Sequence, residues 1–253
     1  MNLFYREFGE GDPIIILHGL FGASDNWMSV AKQLANNYKI YLVDQRNHGN
    51  SFKSDVFNYQ VMADDLFSFI RENQIKEPIL LGHSMGGKVS MKFSIQYPDL
   101  LKKLIVVDIS PRAYPIHHQE ILEGLSAIDL TQTKSRGEAD RILQNYVPEL
   151  GIRQFLLKNL SRLDGERFEW KINLPVIRKE IDLVGEGIDQ GIYPGETLFV
   201  KGAKSDYIQE IDLPLMKSIF PDHRLETIDG AGHWVHAEQP VRFLETVQHF
   251  VKN

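Results

Sequence analysis

One serine in the chain stands between glycines, in Gly82-His83-Ser84-Met85-Gly86-Gly87. The apolar run Pro78-Ile79-Leu80-Leu81 precedes it, and Lys88 to Tyr97 follows with Val89, Phe93 and Tyr97 at helical spacing. The pattern predicts a strand, a sharp turn with Ser84 at its corner, and a helix. Such a turn crowds the positions two before and two after the serine, where Gly82 and Gly86 carry no Cβ to clash. It also sets Ser84 at a helix N-terminus, where unpaired N–H groups and the helix dipole favour developing negative charge. A serine hydroxyl alone is a weak nucleophile. It needs a base, an acid that orients the base, and donors for the oxyanion.

The base candidate is His233, in Gly230-Ala231-Gly232-His233-Trp234-Val235-His236, on a glycine-rich loop after the last predicted strand. Of nine histidines, His83 adjoins Ser84, but neighbouring side chains diverge at a sharp turn. His233-x-x-His236 has the spacing of a metal pair, yet no third ligand accompanies it, and no metal site is expected. The oxyanion donors are expected to be two backbone N–H groups. One belongs to Met85, the residue after the nucleophile, and the other to Leu20, in the loop His18-Gly19-Leu20. Each such donor is worth roughly 10²–10³ in rate.

These groups need a scaffold that brings several strand ends to one edge. Leu3 to Phe8 alternates as a strand, and Gly9-Glu10-Gly11-Asp12-Pro13 is a turn cluster. Ile14-Ile15-Ile16-Leu17, Ile40 to Asp44 and Leu104 to Asp108 are wholly or nearly apolar runs, as strands buried on both faces require. Helices are predicted from about Trp27 to Asn36 and from Tyr59 to Asn73. Strand and helix thus alternate with short connections, the pattern of a parallel sheet covered on both sides. From Ser110-Pro111 to about Pro194 the alternation stops, and the chain reads as helical and strand-poor. It resumes with Thr197-Leu198-Phe199-Val200, a helix near Leu213 to Phe220, the strand Arg224 to Ile228 and a helix from Pro240 to Val251. The expected organisation is a discontinuous α/β core, residues 1–110 and 195–253, with residues 111–194 inserted as a lid too long to be a loop.

Composition narrows the partners. Net charge is −6 with scattered lysines and arginines, which offers no footprint for nucleic acid. The chain has no cysteine, so disulfides, thiol nucleophiles and cysteine metal sites are excluded. No apolar stretch approaches the ~18 residues of a membrane span. Met1 to Glu7 lacks the pattern of a signal peptide, and a cytoplasmic protein is expected.

Four stretches, in this order and spacing, resemble the α/β-hydrolase superfamily: His18-Gly19-Leu20-Phe21-Gly22, Asp44-x-Arg46-x-His48-Gly49-x-Ser51, Gly82 to Gly87, and Gly232-His233-Trp234. The fuller strings, including Val106-Val107-Asp108-Ile109-Ser110-Pro111 and Gly230 to Glu238, are similar to the bacterial YbfF-type esterases and related α/β-hydrolase-domain proteins. The resemblance covers almost the whole chain. It implies an α/β-hydrolase fold whose inserted segment is the helical cap, hydrolysis of carboxylic esters or acyl thioesters, and neither cofactor nor metal. It leaves two positions for the acid. Many members carry it in a Gly-x-x-Asp loop, but here Gly202-Ala203-Lys204-Ser205-Asp206 has Ser205 at that place and Asp206 one late. Others carry it where Asp108 stands, at the end of an apolar strand on the same edge as Ser84, and Asp108 is the preferred candidate. Phe21 and Trp234 flank the expected site as candidate substrate-binding residues. Arg46-Asn47-His48-Gly49 reads as a structural loop beneath it. The same residues also suit perhydrolysis or carbon–carbon bond hydrolysis, or a ligand receptor retaining slow hydrolysis.

Overall fold

The computed structural model describes residues 2–163, 167–188 and 190–252. Its strands form where the short apolar runs stand: β1 (Tyr5–Phe8), β2 (Pro13–Leu17), β3 (Lys39–Val43), β4 (Ile79–His83) and β5 (Lys103–Val107). Between them lie α1 (Met28–Leu34), α2 (Tyr59–Glu72) and α3 (Met85–Gln96). After the inserted segment come β8 (Thr197–Gly202), α9 (Leu213–Ile219), β9 (His223–Ile228), α10 (Val235–Glu238) and α11 (Pro240–Lys252). The seven-stranded sheet has the order β1-β3-β2-β4-β5-β8-β9, parallel throughout except for β1 against β3.

Alternate residues of each strand feed two different cores, as the two-residue period of a strand requires. Ile15, Leu17, Leu80 and Val106 pack with Met62, Leu66 and Val89 of α2 and α3. Ile14, Ile16, Leu81 and Val107 pack with Val30 and Leu34 of α1 and Phe243 and Val247 of α11. Both faces are therefore covered, which is why these runs show no apolar–polar alternation. The register aligns the strand ends: Leu17 sits beside Gly82, and His83 beside Val107. The residues that follow them, His18, Ser84 and Asp108, emerge at one edge.

The segment between β5 and β8 holds α4 (Gln119–Ala127), α5 (Arg136–Leu143), α6 (Leu150–Leu156), α7 (Leu174–Lys179) and α8 (Ile181–Val184). It also carries a feature the sequence reading does not include, an antiparallel hairpin of β6 (Leu160–Leu163) and β7 (Arg167–Trp170). Its apolar residues Leu122, Leu125, Leu143 and Ile177 join the same core as α2 and α3. Polar contacts pin it to the sheet side. The Lys88 ammonium on α3 donates to the carbonyls of Pro111 (3.0 Å), Arg112 and Glu186 (3.0 Å), so one buried cation holds both roots of the insertion. Asn159 Nδ2 donates to the carbonyl of Phe21 (2.7 Å), in the loop after β2. Among the described residues no helix is long and apolar enough to cross a membrane.

Candidate active site

Ser84 lies at the corner between β4 and α3 with φ 53° and ψ −117°, in the left-handed half of backbone space that costs a non-glycine residue energy. The sequence explains how the turn closes. A Cβ on Gly82 would lie 2.2 Å from the Gly86 carbonyl oxygen, and one on Gly86 would lie 2.6 Å from those of Leu17 and His18. Val107 and Ser84 are locked together, because the Ser84 N–H donates to the Val107 carbonyl (3.0 Å).

Asp108 follows directly, fully buried and also at positive φ (52°). Its carboxylate accepts from the Gly202 N–H on Oδ1 (2.9 Å). On Oδ2 it accepts from the Ser205 hydroxyl and from His233 Nδ1 (2.8 Å). An ionised carboxylate can only accept, so the proton of neutral His233 sits on Nδ1 and Nε2 keeps its lone pair. Asp206 is exposed, and it is its backbone carbonyl that is engaged, by Arg112 and Gln209. The serine at the place where many superfamily members carry the acid thus donates to the carboxylate of Asp108.

The loop that carries His233 is held from several sides. The His83 ring donates from Nε2 to the His233 carbonyl (2.9 Å). The Glu238 carboxylate accepts from the N–H groups on either side, Gly232 (2.8 Å) and Trp234 (3.2 Å). The Tyr207 ring lies against the imidazole at 4.3 Å. The sequence reading singled out neither Glu238 nor Tyr207 individually. A carboxylate one turn after a histidine loop and a tyrosine beyond Ser205 carry no local signature of such contacts.

The loop after β2 rests on neutral histidines. His18 donates from Nδ1 to the Gly19 carbonyl (2.8 Å) and accepts the Gln45 N–H on Nε2 (3.0 Å). His48 donates from Nδ1 to the Arg46 carbonyl (3.0 Å) and accepts the Phe21 N–H on Nε2 (3.2 Å). Both rings must be neutral to donate and accept at once. Burial makes them so, holding His18 below its ordinary value and pushing His48 down to about 3. Burial and the neighbouring histidines hold His83 well below its ordinary value. Arg46 forks onto Asp65 at 2.5 and 2.7 Å, anchoring the same platform. No acceptor among the described residues takes the N–H of Leu20 or of Met85.

Ser84, His233, Leu20, Phe21 and Trp234 line one cavity of about 730 Å³, roofed from the insertion by Ile121 and Phe155. Met85 and Asp108 lie behind its wall, both buried. His236 lines the same cavity as His233. It stacks on Trp27 at 3.9 Å, and burial pushes it down to about 3. The arrangement offers a hydroxyl, an imidazole with a free lone pair and the unpaired Leu20 amide on one cavity, with the unpaired Met85 amide on the residue after Ser84.

A family model described as the alpha/beta hydrolase fold matches residues 12–136. The chain is 38% identical over 244 residues to Esterase YbfF of Escherichia coli K12, covering 95% of this chain and 93% of that protein. It is 37% identical over 264 residues to the sn-1-specific diacylglycerol lipase ABHD11 of Danio rerio, covering 100% of this chain and 83% of that one. A solved esterase from a marine microorganism superposes with a TM-score of 0.96 at 44% identity, over 98% of this chain and 99% of that one.

Proposed function

The chain belongs to the α/β-hydrolase family and is a carboxylic ester hydrolase, and on that premise we propose that Ser84, His233 and Asp108 form its catalytic triad. Ser84 Oγ attacks the acyl carbonyl carbon while His233 Nε2 takes its proton. Asp108 holds the Nδ1–H and offsets the positive charge that the ring acquires. The carbonyl oxygen becomes an oxyanion held by the N–H groups of Leu20 and Met85. Collapse of the tetrahedral intermediate breaks the bond to the leaving group, which receives the proton from His233. Water then attacks the acyl-enzyme, with His233 again as base, releasing the carboxylic acid and restoring Ser84.

The observation that carries this reading is the hydrogen bond from His233 Nδ1 to the buried Asp108, on the cavity where Ser84 stands at its strained turn. Residues 111–194 act as the cap over a core of 1–110 and 195–253, and the cavity's volume and apolar lining suit small to medium acyl chains. Phe21 and Trp234 contact the substrate from the core side. The test is hydrolysis of a p-nitrophenyl ester series from C2 to C16, with acyl thioesters of matched length, by the wild type and Ser84→Ala. Ester turnover that disappears in a folded Ser84→Ala variant is expected. Turnover that survives the substitution contradicts the assignment.

A further inference from the structure

The loop that carries the Leu20 amide is held by the insertion as well as by the core. Gly19 to Gly22 form a tight turn, closed by the Gly22 N–H on the Gly19 carbonyl (3.0 Å). Phe21 has φ 59°, whereas Leu20 does not share the positive sign. That sign pattern belongs to a type II turn, which ordinarily carries glycine where Phe21 stands, so the conformation costs energy and needs holding from outside. From the core, His48 Nε2 accepts the Phe21 N–H and His18 Nδ1 donates to the Gly19 carbonyl. From the insertion, the buried Asn159, between α6 and β6, donates from Nδ2 to the carbonyls of Phe21 (2.7 Å) and Leu156 (3.1 Å). Carbonyls only accept, so the side-chain amide is fixed with its NH2 towards them. The backbone of Asn159 is fixed too, because its carbonyl accepts the Lys171 N–H (2.8 Å).

Peptide planes carry this contact to the site. The Phe21 carbonyl and the Gly22 N–H share one rigid plane, and the Gly19 carbonyl and the Leu20 N–H share another. The Gly22 N–H joins the two planes through its hydrogen bond to the Gly19 carbonyl. Asn159 therefore acts two planes away from the Leu20 N–H, and holding the first plane restrains the second. We propose that Asn159 is a positioning residue through which the insertion aims the Leu20 N–H at the oxyanion, so that the insertion takes part in transition-state stabilisation as well as covering the cavity. The inference rests on the reading of Ser84 as the nucleophile and of the Leu20 N–H as an oxyanion donor. Asn159 is not among the residues that line the cavity, so its effect reaches the reaction through the loop and not through substrate contact. An oxyanion forms in acylation and again in deacylation. A misaimed donor slows both steps together, which lowers kcat and leaves KM in place.

The experiment measures kcat and KM on p-nitrophenyl butyrate for wild type, Asn159→Ala, Asn159→Leu, Lys53→Met and Ser84→Ala. Lys53 Nζ donates to the Trp170 carbonyl (3.1 Å), so Lys53→Met removes a different hydrogen bond between core and insertion, away from the Leu20 loop. Active sites are counted by the p-nitrophenol released at completion with diethyl p-nitrophenyl phosphate, so a partly unfolded preparation still yields kcat. Both Asn159 variants are expected to lose about tenfold in kcat, a fraction of the roughly 10²–10³ that a whole oxyanion donor is worth, with KM within about twofold. Lys53→Met is expected to stay within about twofold on both. Inhibition by 1,1,1-trifluoroheptan-2-one, which adds to the serine and forms an oxyanion, should weaken in step with kcat, while inhibition by heptan-2-ol should not. A kcat within about twofold of wild type in both Asn159 variants, a loss carried by KM, or an equal loss in Lys53→Met overturns the inference and leaves the Ser84 reading intact. Activity retained by folded Ser84→Ala, or a trifluoroketone that binds wild type no more tightly than the alcohol, overturns that reading and the inference with it.

Discussion

Replacing Asp108 with asparagine separates the chemistry of the acid from its place in the fold. The carboxylate receives three donors: the Gly202 N–H on one oxygen, and the Ser205 hydroxyl and His233 Nδ1 on the other. An amide has one oxygen and one NH2, so one side must now donate. The Gly202 N–H is fixed in the backbone and cannot turn. Set against the NH2, it would be left as an unpaired buried donor, at about 1–3 kcal/mol. Ser205 and His233 can both adapt, the serine by rotating its hydroxyl and the histidine by moving its proton from Nδ1 to Nε2. The amide oxygen therefore stays on Gly202 and the NH2 faces His233. The imidazole then presents a proton, not a lone pair, to Ser84. The wrong tautomer in a Ser-His-Asp triad costs about 10⁴ in kcat, or about 5.4 kcal/mol of transition-state stabilisation. Stability falls by about 1 kcal/mol, because the Gly202 N–H keeps its acceptor while the buried Ser205 hydroxyl loses the carboxylate oxygen it donated to. The assay is kcat on p-nitrophenyl butyrate with a urea unfolding curve, and Asp206→Asn as control. Asp108→Asn within tenfold of wild type, or Asp206→Asn equally inactive, would contradict Asp108 as the acid.

Two further perturbations follow from the packing of the site. His48 and His236 are buried and held to about 3, whereas in the unfolded chain both titrate near 6.5. The unfolded state therefore binds more protons between these values, and stability is lost as pH falls from 6.5 towards 3, at about 1.4 kcal/mol per pH unit for each ring. The urea midpoint should drop steadily from pH 6.5 to pH 4.5 and show no such loss from these rings above pH 6.5; a midpoint unchanged across the acid range contradicts this. Gly82→Ala places a methyl 2.2 Å from the Gly86 carbonyl oxygen, which the backbone holds in place, and 2.3 Å from Ser90 Oγ, which must rotate off its hydrogen bond to that carbonyl. It should cost roughly 3 kcal/mol, the upper part of the overpacking range, read as a lowered Tm, and an unchanged Tm argues against the tight turn.

The core of the fold was legible because its signals are local. Ile14 to Leu17 and Leu104 to Val107 are short, apolar and rich in β-branched residues, and α2 shows its apolar stripe at Met62, Leu66, Phe69 and Ile70. The hairpin of β6 and β7 was not. Leu160–Leu163 and Arg167–Trp170 are four residues each and mix arginine and glutamate with apolar side chains, so neither period stands out. In the site, Ser84, His233 and the loop at Leu20 announce themselves through glycine spacing. The partner of His233 depends on long-range pairing instead. β5 and β8 lie side by side, which brings Gly202 and Ser205 onto Asp108, and no spacing between positions 108 and 205 encodes that contact.

The proposed reaction requires that Ser84 become covalently acylated. Its most direct test is mass spectrometry of the intact protein and its peptides after reaction with diethyl p-nitrophenyl phosphate, which traps an activated serine and releases p-nitrophenol. A single adduct is expected, on the peptide containing Ser84. The adduct should be absent from Ser84→Ala and form far more slowly in Asp108→Asn. An adduct on another residue, or full esterase activity after stoichiometric modification of Ser84, would contradict it.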